Sequence, residues 1–164
     1  MLFCSIAFSK LSQLSKRDPE YADKKEYYQV FAKSVVTEAR AAGYNATWNP
    51  VVDVLHCNGP IKVYRLFSDD PQRVCRASEE ICKVYKRNGY MSCGKHYPGG
   101  SDAPYDNHMT SVPSKCTVDD LMNFDMIPYK YLMERDLLKN KPVAYVRTRA
   151  DLLLPAKAPM LEGL

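Results

Sequence analysis

Several features that would assign this chain to a specialised class of protein are missing from its sequence. No apolar run approaches the roughly 18 residues that a membrane-spanning helix needs, and mean hydropathy is -0.39. The N-terminal stretch MLFCSIAFSKL has a short apolar core but neither a basic n-region nor a small-residue cleavage site. There is no CxxC pair, no phosphate-binding glycine loop and no GxSxG motif. We therefore expect no secretory leader, no membrane partner and no cofactor.

Charge and cysteine content point to an ordinary globular protein. The net charge of +4 is spread among carboxylates with no basic run, so we expect no nucleic-acid partner. Six cysteines are scattered along 164 residues, a pattern that predicts free thiols in a reducing cytosol and hence a cytoplasmic location. They are Cys4, Cys57, Cys75, Cys82, Cys93 and Cys116.

The first half of the chain alternates between helical and strand patterns. Apolar residues recur at helical spacing over residues 23–42, and Gly43 supplies the stop. Residues 46–54 are short, β-branched and apolar, as in a buried parallel strand, and Pro50 predicts an end or an irregularity within it. The predicted apolar face of the helix comprises Tyr27, Val30, Phe31, Val35, Ala39 and Ala42.

A second helix and strand follow the same order. Asp70 stands directly before Pro71, a capping pattern that starts a helix running to about Asn88, and Gly89 ends it. Residues 90–94 are a short strand candidate. The apolar face of this helix is predicted to comprise Val74, Ala77, Ile81, Val84 and Tyr85.

The last part of the chain continues the alternation of helix and strand with a third helix and a further strand candidate. Thr117 caps a third helix that reaches about Glu134, and Pro128 is expected to kink or split it. Residues 143–146 are a further strand candidate. Alternating helices and strands predict a parallel sheet, but three such units are too few to close a barrel, which typically takes about 250 residues.

A polar, glycine-rich segment over residues 95–115 follows the second strand candidate, where parallel α/β proteins build their sites. Lys95 and His96 at its start could donate hydrogen bonds to substrate hydroxyls, or could be a plain surface pair. Asp106 could orient His108 as a general acid/base, since residues two apart can face the same side. The alternative is a turn with a satisfied histidine.

A metal centre would have to recruit side chains from several distant positions. These have no recognised ligand spacing, so we expect no metal. The residues considered are His56, Cys57, Cys93, His96 and His108.

Five motifs, in order, resemble those of glycoside hydrolase family 3, and the whole match spans about residues 27–138. They are WNPVVDV at 48–54, YRLFSDDP at 64–71, KHYPG at 95–99, DNH at 106–108 and FDMIPY at 124–129. One such motif is weak evidence, whereas five in register are specific. The D-x-H motif points to the β-N-acetylhexosaminidase branch of the family.

The resemblance implies roles for individual residues. His108 would be the general acid/base and Asp106 would orient it. Catalysis in the family retains anomeric configuration through an aspartate nucleophile and a covalent glycosyl intermediate. The residues implied to bind the sugar are Arg65, Lys95, His96 and Asp53.

The chain also departs from the family pattern. Its start lacks the D-x-E-G-G-x-x-R segment, and none of its aspartates matches the nucleophile. We therefore expect a partial (β/α)₈ TIM barrel of about three to four βα units, lacking the first and last strands. In this interpretation residues 1–164 form a single partial domain, with a poorly defined segment at 1–22 and a diverged tail at 139–164.

The leading hypothesis is a glycosidase of the β-N-acetylglucosaminidase or β-glucosidase type that acts on a carbohydrate. The chain would then be a truncated copy, inactive alone because it lacks the nucleophile. One alternative is a non-catalytic carbohydrate-binding remnant. Another is an inactive fragment whose exposed barrel edges make it aggregate. The sequence does not determine the oligomeric state.

Overall fold

The computed structural model describes residues 24–56, 65–99 and 116–138, beginning with helix α1 at Lys25–Ala41. The predicted helix and its stop are confirmed, since Gly43 adopts a φ of 85° and its amide donates to the Arg40 carbonyl. The predicted face is partly wrong, because Tyr27 and Val30 are 38% and 64% exposed. The helix buries a face rotated by about one residue: Tyr28, Phe31, Ala32, Val35 and Val36.

Helix α2 spans Pro71–Arg87 and follows its prediction closely. The Asp70 side chain accepts a hydrogen bond from the Gln72 amide at 2.9 Å, satisfying a donor that the first helical turn leaves open. Proline at the first position costs no hydrogen bond there. All five residues of the predicted face are buried: Val74, Ala77, Ile81, Val84 and Tyr85.

The strands are shorter than the sequence predicts. β1 is Ala46–Thr47 and pairs in parallel with β2 at Met91–Ser92. The irregularity expected at Pro50 is real: the Asn49–Pro50 peptide is cis, and regular pairing stops before it. Parallel pairing resumes as one isolated bridge, Val51 to Lys95. The α/β class with a small parallel sheet is therefore confirmed, whereas the strand candidate at 143–146 lies outside the described residues.

The third predicted helix is divided into short pieces. Thr117 and Asp120 form a reciprocal capping box around α3, Val118–Asp120, as expected from the threonine. A π-helical turn follows at Leu121–Asp125, and α4 occupies Ile127–Glu134. Pro128 lies at the start of α4, because proline has no N–H for the preceding turn and cannot continue a helix through its interior.

The core lies between the helices and the strand segments. Helix α2 packs against both α1 and α4, and polar contacts join their rims, including Gln29 to Glu80 at 2.6 Å and Tyr131 to Glu79 at 2.6 Å. Within the described ranges, no helix is both long and apolar enough to cross a membrane. The predicted free thiols are confirmed for four buried cysteines: Cys75, Cys82, Cys93 and Cys116.

Candidate active site

The ends of two neighbouring parallel segments bring the first site residues together. The Val51–Lys95 bridge extends the pairing of β1 with β2, and the Val52 amide donates to the Lys95 carbonyl at 2.8 Å. Asp53 and His96 come directly after these contacts, one on each segment. Parallel strands end at the same edge of a sheet, so the two side chains meet at that edge.

Asp53 holds His96 through both of its carboxylate oxygens. The His96 amide donates to Oδ1 at 2.7 Å, and ring atom Nδ1 lies 2.7 Å from Oδ2. A carboxylate can only accept, so Nδ1 carries the shared hydrogen and Nε2 lies on the opposite edge of the ring. Asp53 is 4% exposed. A buried, doubly bonded carboxylate fixes both the backbone and the ring of His96.

Two cationic side chains accompany this pair. Burial lowers the pKa of Lys95, and the positive charge of Arg65 lowers it further, while the Asp53 carboxylate acts in the opposite direction. The described structure therefore brings Arg65, Lys95, His96 and Asp53, all predicted to bind sugar, into one electrostatic neighbourhood. Ammonium, guanidinium and imidazole groups are all suitable donors to hydroxyl oxygens.

The KHYPG segment at 95–99 is anchored to the helical layer. The Tyr97 ring packs edge-on against buried Tyr129 with 5.4 Å between centroids. Gly99 has a φ of 133°, and a Cβ atom there would lie 2.7 Å from the Asp125 side chain. Only glycine fits this approach without displacement of Asp125. Lys95 and His96 thus begin a segment whose other end is pressed against the turn that precedes α4.

A second histidine–aspartate pair lies beside Gly99, and the sequence did not predict it. His56 Nε2 is 2.6 Å from Asp125 Oδ2, and the imidazole packs on Phe124 with centroids 4.7 Å apart. The His56 side chain is 20% exposed and that of Asp125 is fully buried. Sequence separation hides the pair, because its members are 69 positions apart in the chain. Asp125 does fall within the FDMIPY motif at 124–129.

Cys116 joins this second pair. One potential ligand atom from each of His56, Cys116 and Asp125 lies within 4.8 Å of the others. From the sequence we consider His56 with Cys57, Cys93, His96 and His108 as metal ligands and, for want of ligand spacing, expect no metal. The structure instead gives His56 two different neighbours and directs His96 to Asp53.

The predicted acid/base pair, Asp106 and His108, lies outside the described residues, as does Cys57. Their roles remain predictions that follow from the motif at 106–108. The structure describes the contacts of the KHYPG segment at 95–99, which precedes these two residues in the chain.

Comparison with known proteins gives one family. The family model described as the glycosyl hydrolase family 3 N terminal domain matches residues 9–140. A beta-hexosaminidase of Neisseria meningitidis is 26% identical over 145 residues, which cover 88% of this chain and 40% of that protein. A beta-hexosaminidase of Thiobacillus denitrificans is 26% identical over 117 residues, covering 71% of this chain and 33% of that protein. The chain therefore spans well under half the length of these curated relatives.

Solved structures give the same result. NagZ from Neisseria gonorrhoeae, crystallised in complex with N-trifluoroacetyl-D-glucosamine, aligns with a TM-score of 0.67 and 25% identity. The alignment covers 86% of this chain and 41% of that chain. LpqI of M tuberculosis has the same fold over 81% of this chain, with a TM-score of 0.64 and 24% identity.

Proposed function

The chain belongs to the glycosyl hydrolase family 3 N-terminal domain family, and from this membership we propose that it is part of a retaining glycosidase specific for β-linked N-acetylglucosaminides. The curated relatives are beta-hexosaminidases, which favours an N-acetylhexosaminide over a glucoside. The chain spans 40% of the first of these relatives, so the activity assigned to the whole protein is inferred.

The main observation behind this proposal is that Asp53 contacts both the backbone amide and the ring of His96, next to Lys95 and Arg65. A sugar at this edge of the sheet would receive hydrogen bonds from the Lys95 ammonium, the Arg65 guanidinium and the Nε2 edge of His96. Asp53 has both carboxylate oxygens engaged by His96. We assign it a positioning role, in which it presents the imidazole, and no direct contact with the sugar.

The chemistry requires a proton donor and a nucleophile on opposite sides of the glycosidic bond. In the proposed mechanism His108, oriented by Asp106, gives its proton to the leaving oxygen while an aspartate attacks the anomeric carbon. The neutral imidazole then takes a proton from water, which displaces the aspartate and restores the original anomeric configuration. No aspartate in this chain matches that nucleophile, so these residues supply the acid/base half of the site.

Hydrolysis by the purified chain tests this assignment. We expect no turnover of an aryl β-N-acetylglucosaminide, because a covalent glycosyl intermediate cannot form without its nucleophile. Robust release of the aryl group by the chain, abolished in His108→Ala, would show that a nucleophile is present after all.

Weak carbohydrate binding without catalysis is the second candidate function, favoured by the donors gathered around His96. Titration of the chain with N-acetylglucosamine, followed by NMR, should give saturable shifts at millimolar sugar that Lys95→Ala removes. Lys130→Ala is the matched control. This exposed lysine lies on α4, and its side chain donates a hydrogen bond to the Met122 carbonyl. An absence of saturable shifts would eliminate sugar binding by the isolated chain.

A further inference from the structure

The cluster of His56, Cys116 and Asp125 is not used by the proposed glycosidase mechanism. Its members come from three separate described segments: one follows the buried residues 51–54, one precedes the capping box of α3, and one ends the π-helical turn. Among residues whose positions the structure describes, this is the one group of three His, Cys, Asp or Glu side chains whose ligand atoms all lie within 4.8 Å of one another.

The donor atoms suit one class of metal ion. An imidazole nitrogen, a thiolate sulfur and a carboxylate oxygen are the three ligand types that zinc takes in proteins. With a neutral imidazole, the thiolate and the carboxylate carry two negative charges, which match the charge of Zn²⁺. A harder ion such as Mg²⁺ or Ca²⁺ prefers oxygen ligands only, so the sulfur and nitrogen argue against it.

The distances fit an ion after a small adjustment. Two ligands about 2.1 Å from a tetrahedral zinc ion are about 3.4 Å apart, and a nitrogen and a sulfur ligand are about 3.6 Å apart. His56 Nε2 and Asp125 Oδ2 are now 2.6 Å apart, as in a direct hydrogen bond. Entry of the ion would open this pair by about 0.8 Å. His56 would bind through Nε2 after the hydrogen leaves that atom, and Cys116 would release its thiol proton.

The surroundings restrict how the ligands can move. The Asp125 side chain is fully buried and lies so near Gly99 that no Cβ would fit there, while Phe124 packs against the His56 ring. His56 retains 20% exposure of its side chain, which gives an ion a path from solvent. Held ligands with one open side are typical of zinc sites that keep a coordination position for water.

We propose that His56, Cys116 and Asp125 form a zinc-binding site beside the KHYPG segment. Three protein ligands hold the ion and a water molecule completes the tetrahedron. The ion joins the chain just after the buried residues 51–54 to the residue before the N-cap of α3 and to the turn before α4. This assignment is independent of the proposed glycosidase activity.

Two other cysteines in the described ranges, Cys75 and Cys82, are poor competitors for the ion. Burial raises the pKa of Cys75 to about 11 and that of Cys82 to about 12, so both remain protonated thiols near neutral pH. They therefore provide matched controls, being buried thiols like Cys116 but outside the cluster.

Cobalt(II) substitution tests the ligand set directly, using the full chain. A tetrahedral cobalt site with a cysteine ligand gives intense visible bands and a thiolate-to-cobalt charge-transfer band in the near ultraviolet. We expect one Co²⁺ per chain with both signals, displaced by Zn²⁺. Cys116→Ser should lose the charge-transfer band, His56→Ala should weaken Zn²⁺ binding by about tenfold or more, and Cys75→Ala should retain both properties.

Equilibrium dialysis measures the stoichiometry and affinity of Zn²⁺ binding, and these two quantities can contradict the proposal. Unchanged zinc stoichiometry and affinity in both Cys116→Ser and His56→Ala would overturn the proposal and place any bound metal elsewhere, for example at Asp106 and His108. Circular dichroism of each variant checks folding. If Cys116→Ser does not fold, Asp125→Asn serves instead, since it retains the side-chain volume and should weaken zinc binding equally.

Discussion

Two histidine–aspartate pairs lie at the two ends of the KHYPG segment, one at His96 and one beside Gly99, and their construction differs. Asp53 holds His96 by a backbone and a ring contact, both at 2.7 Å, between adjacent parallel segments. Asp125 holds His56 by a ring contact at 2.6 Å, between a strand end and a helical turn. The first pair is therefore set by the sheet, whereas the second ties the sheet to the helical layer.

The largest expected effect comes from Gly99, the glycine that lies against Asp125 of the second pair. Gly99→Ala should lower the free energy of unfolding by about 3 kcal/mol, because its φ of 133° is strained for alanine and the new Cβ would lie 2.7 Å from Asp125. Urea denaturation measures this. Gly43→Ala is the control: it has a φ of 85° with nothing within 4 Å, and should cost about 1 kcal/mol. Equal losses would mean that the close approach to Asp125 contributes nothing.

Replacing each aspartate by asparagine should separate the two pairs. Asp53→Asn has one acceptor oxygen for the two donors of His96, so one buried hydrogen bond is lost, at about 2 kcal/mol. Asp125→Asn can still accept from His56 Nε2 and should cost about 1 kcal/mol. Urea unfolding of both variants gives the order. A greater loss in Asp125→Asn would show that the second carboxylate supports more than the His56 ring.

The first pair could be anticipated from the sequence and the second could not. Residues 46–54 and 90–94 are predicted parallel strands, and parallel strands place their carboxyl ends together, so the pattern contains the information that brings Asp53 and His96 to one edge, although their contact is not itself predicted. The meeting of His56 with Asp125 depends on how the turn before α4 packs, which no local pattern encodes. The residues considered from the sequence as metal ligands, from which no metal is expected, consequently do not include Asp125 or Cys116.

The helices show the same division between local and tertiary information. The start of α2 was predictable, since Asp70 and Pro71 act within one turn. The buried face of α1 was not, because Tyr27 and Tyr28 offer two overlapping apolar faces at the same spacing. Packing against α2 decides between them, and it buries Tyr28.

Weakening the start of α3 should loosen the second pair selectively. Thr117→Ala removes the oxygen that accepts from the Asp120 amide at 3.1 Å, which should lower the free energy of unfolding by about 1 kcal/mol. The turn carrying Asp125 follows directly, so the NMR signals of the His56 ring should shift more than those of His96. Ser34→Ala, which removes an exposed hydroxyl within α1, should leave both rings and the stability nearly unchanged. Equal shifts in the two rings after Thr117→Ala would contradict the separation of the pairs.

The smallest effect tests the charges around the first pair. Arg65→Gln removes a positive charge that lowers the pKa of Lys95, so this pKa should rise toward its usual range. A lysine whose pKa is lower in the folded chain than in the unfolded chain stabilises the fold increasingly as pH rises through the folded pKa. Arg65→Gln should make this increase in stability smaller. NMR titration of the Lys95 side chain measures the shift, with Arg87→Gln at the exposed end of α2 as a charge-matched control. The His56 ring should be unaffected by Arg65→Gln, because the charge of Arg65 acts on Lys95, the chain neighbour of His96. A Lys95 pKa that responds equally to both substitutions would mean that Arg65 contributes only to the net charge of the chain.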